Sequence, residues 1–250
     1  MGLINIRKWD TEFFGIKVGE LRECPSSENL NPFQQEIEYE NYQFLLYRHK
    51  VDPQNILNIS TLAKLGFSYI DTHLKLNLSL SELESNKLET KISKVTIRKV
   101  AKSEQQYVPE LQRIGVDLSK VSRFGLDLHI SEELVTKLYQ NWIKNGFVGN
   151  MADHIYVAFD EFDTVLGFAY FVKEKDDSRI VDLSLLAVDS SMRGSGLGTK
   201  LMETAFSDLQ EQYDHCTVVV SLSNPKAVRF YEKLGYRLLS SEQIYHMHKD

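Results

Sequence analysis

Arg193-Gly194-Ser195-Gly196-Leu197-Gly198 joins two stretches of different periodicity. Before it, Ile180, Val181, Leu183, Leu185, Leu186, Ala187 and Val188 make a nearly continuous apolar run, the pattern of a buried strand. After it, Leu201, Met202, Ala205, Phe206 and Leu209 recur at helical spacing. A glycine turn therefore opens a helix. Residues without side chains let an anion approach the backbone, and the first-turn N–H groups lack internal partners and sit at the positive end of the helix dipole. Phosphate oxygens are the natural occupants. The glycines alternate, so the dinucleotide fingerprint G-x-G-x-x-G is not met, and the next strand, Cys216 to Leu222, ends without an acidic residue. Gly198 is followed by Thr199 and then Lys200, the reverse of a P-loop. On this hexapeptide alone, a plain strand-to-helix turn that uses glycine for tightness stays open.

Asn224-Pro225-Lys226-Ala227-Val228-Arg229-Phe230-Tyr231-Glu232-Lys233-Leu234-Gly235-Tyr236 reads as a complete short helix. Asn224 is a good N-cap, Pro225 suits the first helical position, and Gly235 can take the left-handed conformation that ends the helix. Ala227, Val228, Tyr231 and Leu234 share a face, which turns the Tyr231 ring inward. Such a tyrosine is either a core residue with a satisfied hydroxyl or a proton donor.

The pattern Arg193-x-x-Gly196-x-Gly198, followed by Asn224-x-x-Ala227-x-x-Phe230-Tyr231-x-x-x-Gly235-Tyr236, resembles the two signature motifs of the GNAT family of acyl-CoA N-acyltransferases. The resemblance covers about residues 95 to 250. It implies that the backbone of Arg193, Gly194, Ser195, Gly196, Leu197, Gly198 and Thr199 holds the pyrophosphate of acetyl-CoA. It also implies that Leu186 and Val188 lie along the cofactor, that the backbone amide near Leu186 polarises the thioester carbonyl, and that Asn224 sits beside the pantetheine arm. Tyr231 falls where many members place the acid that protonates the departing thiolate. The fold implied is α+β, a mixed and mostly antiparallel central sheet flanked by helices, with two central strands splayed apart.

Trp9-Asp10-Thr11-Glu12-Phe13-Phe14-Gly15 and Ser122-Arg123-Phe124, the latter before a helix containing Leu138, Tyr139, Trp142 and Ile143, add a looser likeness. Together with the length, they are similar to the two-domain acetyltransferases of dTDP-4-amino-4,6-dideoxygalactose (dTDP-fucosamine). That likeness implies a nucleotide-linked amino sugar as acceptor, a role in polysaccharide precursor synthesis and a homodimer. Two other classes stay open: a GNAT enzyme for another primary amine, such as an aminoglycoside, polyamine or peptide N-terminus, and a noncatalytic acyl-CoA sensor.

Three substrate-side readings are unresolved at this level. Arg123 is either a fork that clamps a diphosphate or a surface ion pair. Asp182, which alternates with Ser184 and Leu186 along one strand, is either a general base or a solvated edge group. Trp9, Phe13 and Phe14 either pack a seam or face a nucleobase.

At 250 residues the chain can bury one large or two small cores. Its net charge of -6 argues against nonspecific nucleic-acid binding, which needs a basic face. Cys24 and Cys216 give neither a disulfide framework nor ligand spacing, and the histidines, including His129, His154 and His215, show none either, so no metal is expected. Met1 to Asp10 holds no apolar signal core and no run reaches a membrane span, which reads as cytoplasmic.

A polar stretch from Ser81 to Lys94 divides residues 1–90, expected to form a smaller α/β domain, from a GNAT domain over 91–250. In the first part, a strand at Tyr42 to Arg48, a helix at Pro53 to Leu65 and a strand at Phe67 to Leu78 are expected. Asp52-Pro53 followed by Lys64-Leu65-Gly66-Phe67 echoes Asn224-Pro225 followed by Lys233-Leu234-Gly235-Tyr236. Either the first part is a degenerate half of the same fold, without the phosphate turn, or cap-and-stop chemistry has recurred by chance. In the second part, strands are expected at Val95–Val100, His154–Phe159, Val165–Lys173, Arg179–Val188 and Thr217–Leu222. Helices are expected from Ser103 and over Ser131 to Asn145, and the chain is expected to close on a strand pair.

Overall fold

The computed structural model describes residues 3–25, 30–52, 59–83 and 94–249. The first part contains β1 (Ile4–Ile6), α1 (Lys8–Phe14), β2 (Val18–Leu21), α2 (Leu30–Glu40), β3 (Phe44–Lys50), α3 (Ile59–Lys64) and β4 (Ser68–Ser79). The second contains β5 (Thr96–Val100), α4 (Val108–Ser119), α5 (Glu132–Val148), β6 (His154–Phe159), β7 (Val165–Lys173), β8 (Ile180–Val188), α6 (Leu197–Leu209), β9 (His215–Ser221), α7 (Pro225–Lys233) and β10 (Arg237–His248). The first half of the helix expected at Pro53–Leu65, and most of the polar stretch before Lys94, lie outside the described residues.

Local chemistry sets the helix ends. Ser131 caps α5 by accepting from the Leu134 N–H at 3.3 Å, and Asn224 caps α7 by accepting from the Ala227 N–H at 3.2 Å. Gly66 and Gly235 stop α3 and α7 at φ 84° and 95°, a region L-residues avoid. The helix expected from Ser103 starts later, because a single 3-10 turn at Gln105–Tyr107 precedes Val108.

All ten strands form one sheet in the order β1-β2-β3-β10-β4-β9-β8-β7-β6-β5. Its two halves follow one plan. A parallel pair (β2 with β3, β8 with β9) leads through a short helix (α3, α7) into a 12-residue strand (β4, β10). Each long strand lies in the other half. β4 runs antiparallel to both β9 and β10, and β10 runs antiparallel to both β4 and β3. The expected closing strand pair is therefore one strand, bent by irregularities near Leu239 and Tyr245; its partners lie in the first part of the chain, so no hairpin is required.

Phe33, Ile37 and Leu62 of α2 and α3 cover one face together with Leu201, Met202, Phe206 and Tyr231 of α6 and α7. Leu111, Ile114, Leu138 and Ile143 of α4 and α5 cover the other, joined by Phe13 and Phe14 of α1. Among the described residues, no helix is long and apolar enough to cross a membrane.

Leu76, Leu78 and Leu80, in or just after β4, are almost fully buried in the core under α6 and α7, each worth about 1.5–3 kcal/mol of burial. Removing residues 1–90 would take away this strand and expose edges on β9 and β10. A fragment of residues 91–250 is expected to lose cooperative thermal unfolding, whereas the whole chain melts in one transition. A sharp melt of the fragment by circular dichroism would show that the second part stands alone.

Candidate active site

The glycine turn presents backbone, not side chains. Gly194 and Gly196 take φ 77° and 92°, and Gly196 caps α6 without a side-chain bond. Ser195 Oγ donates to the Met192 carbonyl at 2.6 Å and accepts from the Leu197 N–H at 3.3 Å, which fixes the turn. The amides of Gly194, Gly196, Gly198 and Thr199 have no partner among the described residues. A Cβ on Gly194 would meet nothing within 4 Å, so that side of the turn is open. Arg193 turns its guanidinium to Asp117 on α4 at 2.6 Å, and Arg113 of that helix reaches Asp189 at 2.8 Å, so α4 braces the turn.

Beside this turn, β8 and β9 part. Their parallel pairing runs from Ile180↔His215 to Leu183↔Val218 and stops, although β8 continues to Val188 and β9 to Ser221. The separation begins at a bulge. Tyr170 and Phe171 of β7 pair with Leu185 and Leu183, so Ser184 is the extra residue, and its Oγ donates within reach of the Met151 and Tyr170 carbonyls. The Asp189 N–H bonds Leu166 across β7. By the two-residue period, the Leu186 and Val188 amides point away from β7, into the gap that β9 has left.

The bulge overturns one detail of the sequence reading. Asp182 and Leu186 do not share a face: Leu183 packs under α6, whereas Leu185 packs under α4 and α5, so the faces exchange at Ser184. Asp182 thus looks to the α4–α5 side, one residue before the gap. Burial, then the Glu174 carboxyl that hydrogen-bonds it, push Asp182 up to about 7. Lys75 opposes both.

α7 packs on β9, the other wall of the gap. Tyr231 is the one buried residue of this helix, with its ring 5.4 Å from that of Tyr236. Burial first, then the neighbouring Cys216, raise its hydroxyl above the ordinary range, so it stays protonated. Cys216 is itself buried, and its Sγ accepts from the Tyr236 hydroxyl at 3.0 Å. Asn224 holds its place as the α7 cap, with Oδ1 committed to the backbone.

Beyond the apolar core under α4 and α5, the same sheet face turns polar and partly bare over β4 and β9. Register aligns Arg48 with Ile244 and Asp71, then His73 with Ser221, Lys75 with Val219, and Asn77 with Thr217 and Asp182. Val219 is 56% exposed although its strand is central, so a cleft lies over it. Arg123 is at one end of this face. It forms no ion pair among the described residues; its guanidinium lies over the Phe124 ring at 4.6 Å, and its Nε is sealed from solvent without a partner. The aromatic cluster packs a seam: Trp9 stacks on Phe13 at 5.4 Å and leans on Trp142 at 6.2 Å, while Phe14 meets Phe44 and Phe124.

The sequence missed what holds the Arg123 loop. Asp127 accepts from His246 Nδ1 at 2.6 Å, His248 Nε2 at 2.7 Å and the His129 N–H at 3.0 Å. Burial alone would raise this carboxyl, but those donors hold it ionised. The ligand atoms of Asp127, His129 and His248 lie within 4.8 Å of one another, a spacing a cation could use, yet the hydrogen bonds satisfy the carboxylate without one. Partners separated by more than a hundred residues leave no spacing signal; the only sequence hint is the pair of alternating motifs Asp127-x-His129 and His246-x-His248.

Comparison with known proteins agrees with this geometry. Residues 152–238 match the acetyltransferase (GNAT) domain model. Over 128 residues the chain is 28% identical to the spore coat polysaccharide biosynthesis protein SpsD of Bacillus subtilis (strain 168), a stretch covering 50% of this chain and 42% of that protein. The chain thus spans less than half the length of that relative. Among solved structures, a tandem GNAT protein of the clavulanic acid biosynthesis pathway aligns with 92% of this chain and 75% of its own, with a TM-score of 0.60 at 11% identity. A GCN5-related N-acetyltransferase from Sphaerobacter thermophilus aligns with 93% of this chain and 72% of its own, with a TM-score of 0.59 at 11% identity. The parted strands, the open glycine turn and the matched segment together identify a GNAT acetyltransferase domain in this chain, built on the α+β GNAT fold.

Proposed function

We propose that the chain is an acetyl-CoA-dependent N-acetyltransferase whose acceptor is the amine of a nucleotide-linked 4-amino-4,6-dideoxyhexose. The observation that carries this reading is the parting of β8 from β9 beside a turn with four amides that have no partner among the described residues. One feature suits a diphosphate; the other suits a thin acylated arm with N–H donors along its wall. In this reading the backbone from Arg193 to Thr199 holds the pyrophosphate, Leu186 and Val188 line the arm, and Asn224 lies beside it.

The chemistry is direct transfer in a ternary complex. Asp182 takes a proton from the ammonium so that the neutral amine can attack. The Leu186 N–H donates to the carbonyl oxygen as charge develops there, the Tyr231 hydroxyl gives its proton to the departing sulfur, and as the intermediate collapses to the amide its nitrogen sheds its excess proton, which restores the Tyr231 hydroxyl through solvent. Positioning on the sheet face supplies the rest. The amino-sugar half of the reading is supported by the polysaccharide role in the name of the Bacillus relative and by the polar cleft with Arg123 at its end. The shared plan of the two half-sheets supports reading residues 1–90 as a degenerate half GNAT fold joined to the catalytic part, 91–250; no glycine lies between Leu21 and Leu30, where the corresponding turn would be. We place the enzyme in the cytoplasm, where acetyl-CoA and activated sugars are made.

Release of free thiol from acetyl-CoA with dTDP- and UDP-linked 4-amino-dideoxy sugars, beside simple amines and an aminoglycoside, tests the whole reading. Turnover confined to the nucleotide sugars is expected; turnover confined to the other amines would remove this acceptor. Gly196→Val, forced to φ 92°, should strain the turn by about 1–3 kcal/mol and weaken acetyl-CoA binding about 5- to 150-fold by calorimetry. Tyr231→Phe keeps the ring and should leave acetyl-CoA affinity unchanged while lowering kcat about 10²-fold. Equal turnover would end its assignment as the acid. Because the Asp182 carboxyl titrates near 7, its base form accumulates above that pH, so kcat/KM should climb as pH rises through about 7. Asp182→Asn should abolish that limb, and a variant with the wild-type profile would return the proton to solvent.

A further inference from the structure

We propose that Arg7, Arg48 and Arg123 form an anion site that grips the phosphoryl groups of the acceptor, which makes the acceptor a glycosyl diphosphate and gives the first part of the chain a direct role in choosing it. The inference rests on the transferase reading above and names three recognition groups in a cavity apart from the glycine turn.

The cavity has a volume of about 40 Å³ and is lined by Arg7, Glu20, Leu46, Arg48, Arg123 and Ile244. Its charges do not balance. Arg7 bonds Asp10 through Nε at 2.8 Å and Glu20 through Nη1 at 2.9 Å, while Arg48 bonds the same Glu20 through Nε at 2.6 Å. Two carboxylates therefore serve two arginines, and Arg123 is left over. Arg123 is half-buried: its charge faces those of Arg48 and Arg7, and its Nε is sealed from solvent with no hydrogen bond among the described residues. An ionised side chain partly withdrawn from water, facing two like charges and without a counter-charge of its own, is costly, and a guanidinium cannot escape the cost by losing its proton. An anion removes the penalty.

The donors are also held in place. Arg123 is packed over Phe124, and the loop bearing both is tied to β10 through Asp127. The Nη atoms of Arg48 and one Nη of Arg7 carry no hydrogen bond among the described residues, so they are free to join the Arg123 fork. Three guanidiniums lining one cavity suit a phosphate or diphosphate better than a carboxylate, which has only two oxygens to offer.

Position gives the site its purpose. Arg48 lies on the face that continues through His73 and Lys75 to Asp182, and His73 is held neutral down to about 4 by burial and by the nearby Arg123 charge. β3 and β9 are three strand positions apart, about 14 Å at ~4.8 Å per strand. A phosphoryl group in the cavity would lay its sugar over β10 and β4 toward the gap beside β9. The pyrophosphate expected at the glycine turn approaches the gap from the α6 end instead, so the two anion sites do not compete.

The test is calorimetric titration of dTDP and, separately, inorganic pyrophosphate into the whole chain and into Arg123→Gln and Arg48→Gln, with acetyl-CoA titrated in parallel. The wild type is expected to bind dTDP and to melt at a higher temperature with it. Either substitution should weaken dTDP by about tenfold to a hundredfold and leave acetyl-CoA unchanged. Arg123→Gln should also keep or raise the melting temperature of the unliganded protein, because it deletes a half-buried charge that faces two like charges. A wild type that binds neither anion, or an Arg123→Gln variant that binds dTDP as well as the wild type, overturns the site. A loss of melting temperature in unliganded Arg123→Gln comparable with that of a broken ion pair would also overturn it, by giving the arginine a structural partner. Arginine-dependent dTDP binding in a protein that acetylates no amine sustains the anion site while removing the transferase reading, so the two can fail separately.

Discussion

The bulge at Ser184 governs the site. One extra residue in β8 ends its ladder with β9 three positions short of where both strands could continue, and a sheet cannot leave amides unpaired in its middle unless something else takes them up. The same residue reverses which side of the sheet each β8 side chain faces. Asp182 is thereby directed to the open polar face, while Leu186 and Val188 turn their side chains toward α6 and their amides into the gap. The proposed base, the proposed donor and the slot between the strands all follow from a single register shift, held by the Ser184 hydroxyl against two carbonyls.

The exchange of β4 and β10 between the half-sheets explains why the first part of the chain matters to chemistry carried by the second. β4 fills the position between β9 and β10 and brings His73 and Lys75 onto the face proposed for the acceptor. β10 in return brings His246 and His248 under the Arg123 loop. That face is composite: no contiguous stretch of sequence contains it, and neither half-sheet builds it alone.

Cost and compensation differ between the two ends of that face. Around Asp127, burial is offset by three donors, and the result is a fixed loop. Around Arg123, which is half-buried, the guanidinium has no ion pair among the described residues and its Nε is sealed without a hydrogen bond. A partly desolvated charge without a counter-charge adds little stability, since apolar packing would serve better. The contrast between a satisfied Asp127 and an unpaired Arg123 four residues away is what the proposed anion site rests on.

Much of this was legible in the chain itself. Local chemistry fixed the glycine turn, the Asn224 and Gly235 ends of α7, and the strands His154–Phe159 and Val165–Lys173, because caps, left-handed glycines and apolar periodicity depend only on neighbours in sequence. Gly66 and Gly235 likewise marked where α3 and α7 stop. What sequence could not express is pairing at a distance. The Ser184 bulge is a mismatch with β7, the single long β10 has its partners in β3 and β4, and the Asp127 cluster and the unpaired Arg123 exist only once the α4–α5 loop lies against β2, β3 and β10. Periodicity reports which residues share a face of one element; which strand lies next to it, and in what register, is decided by the packing of the whole sheet.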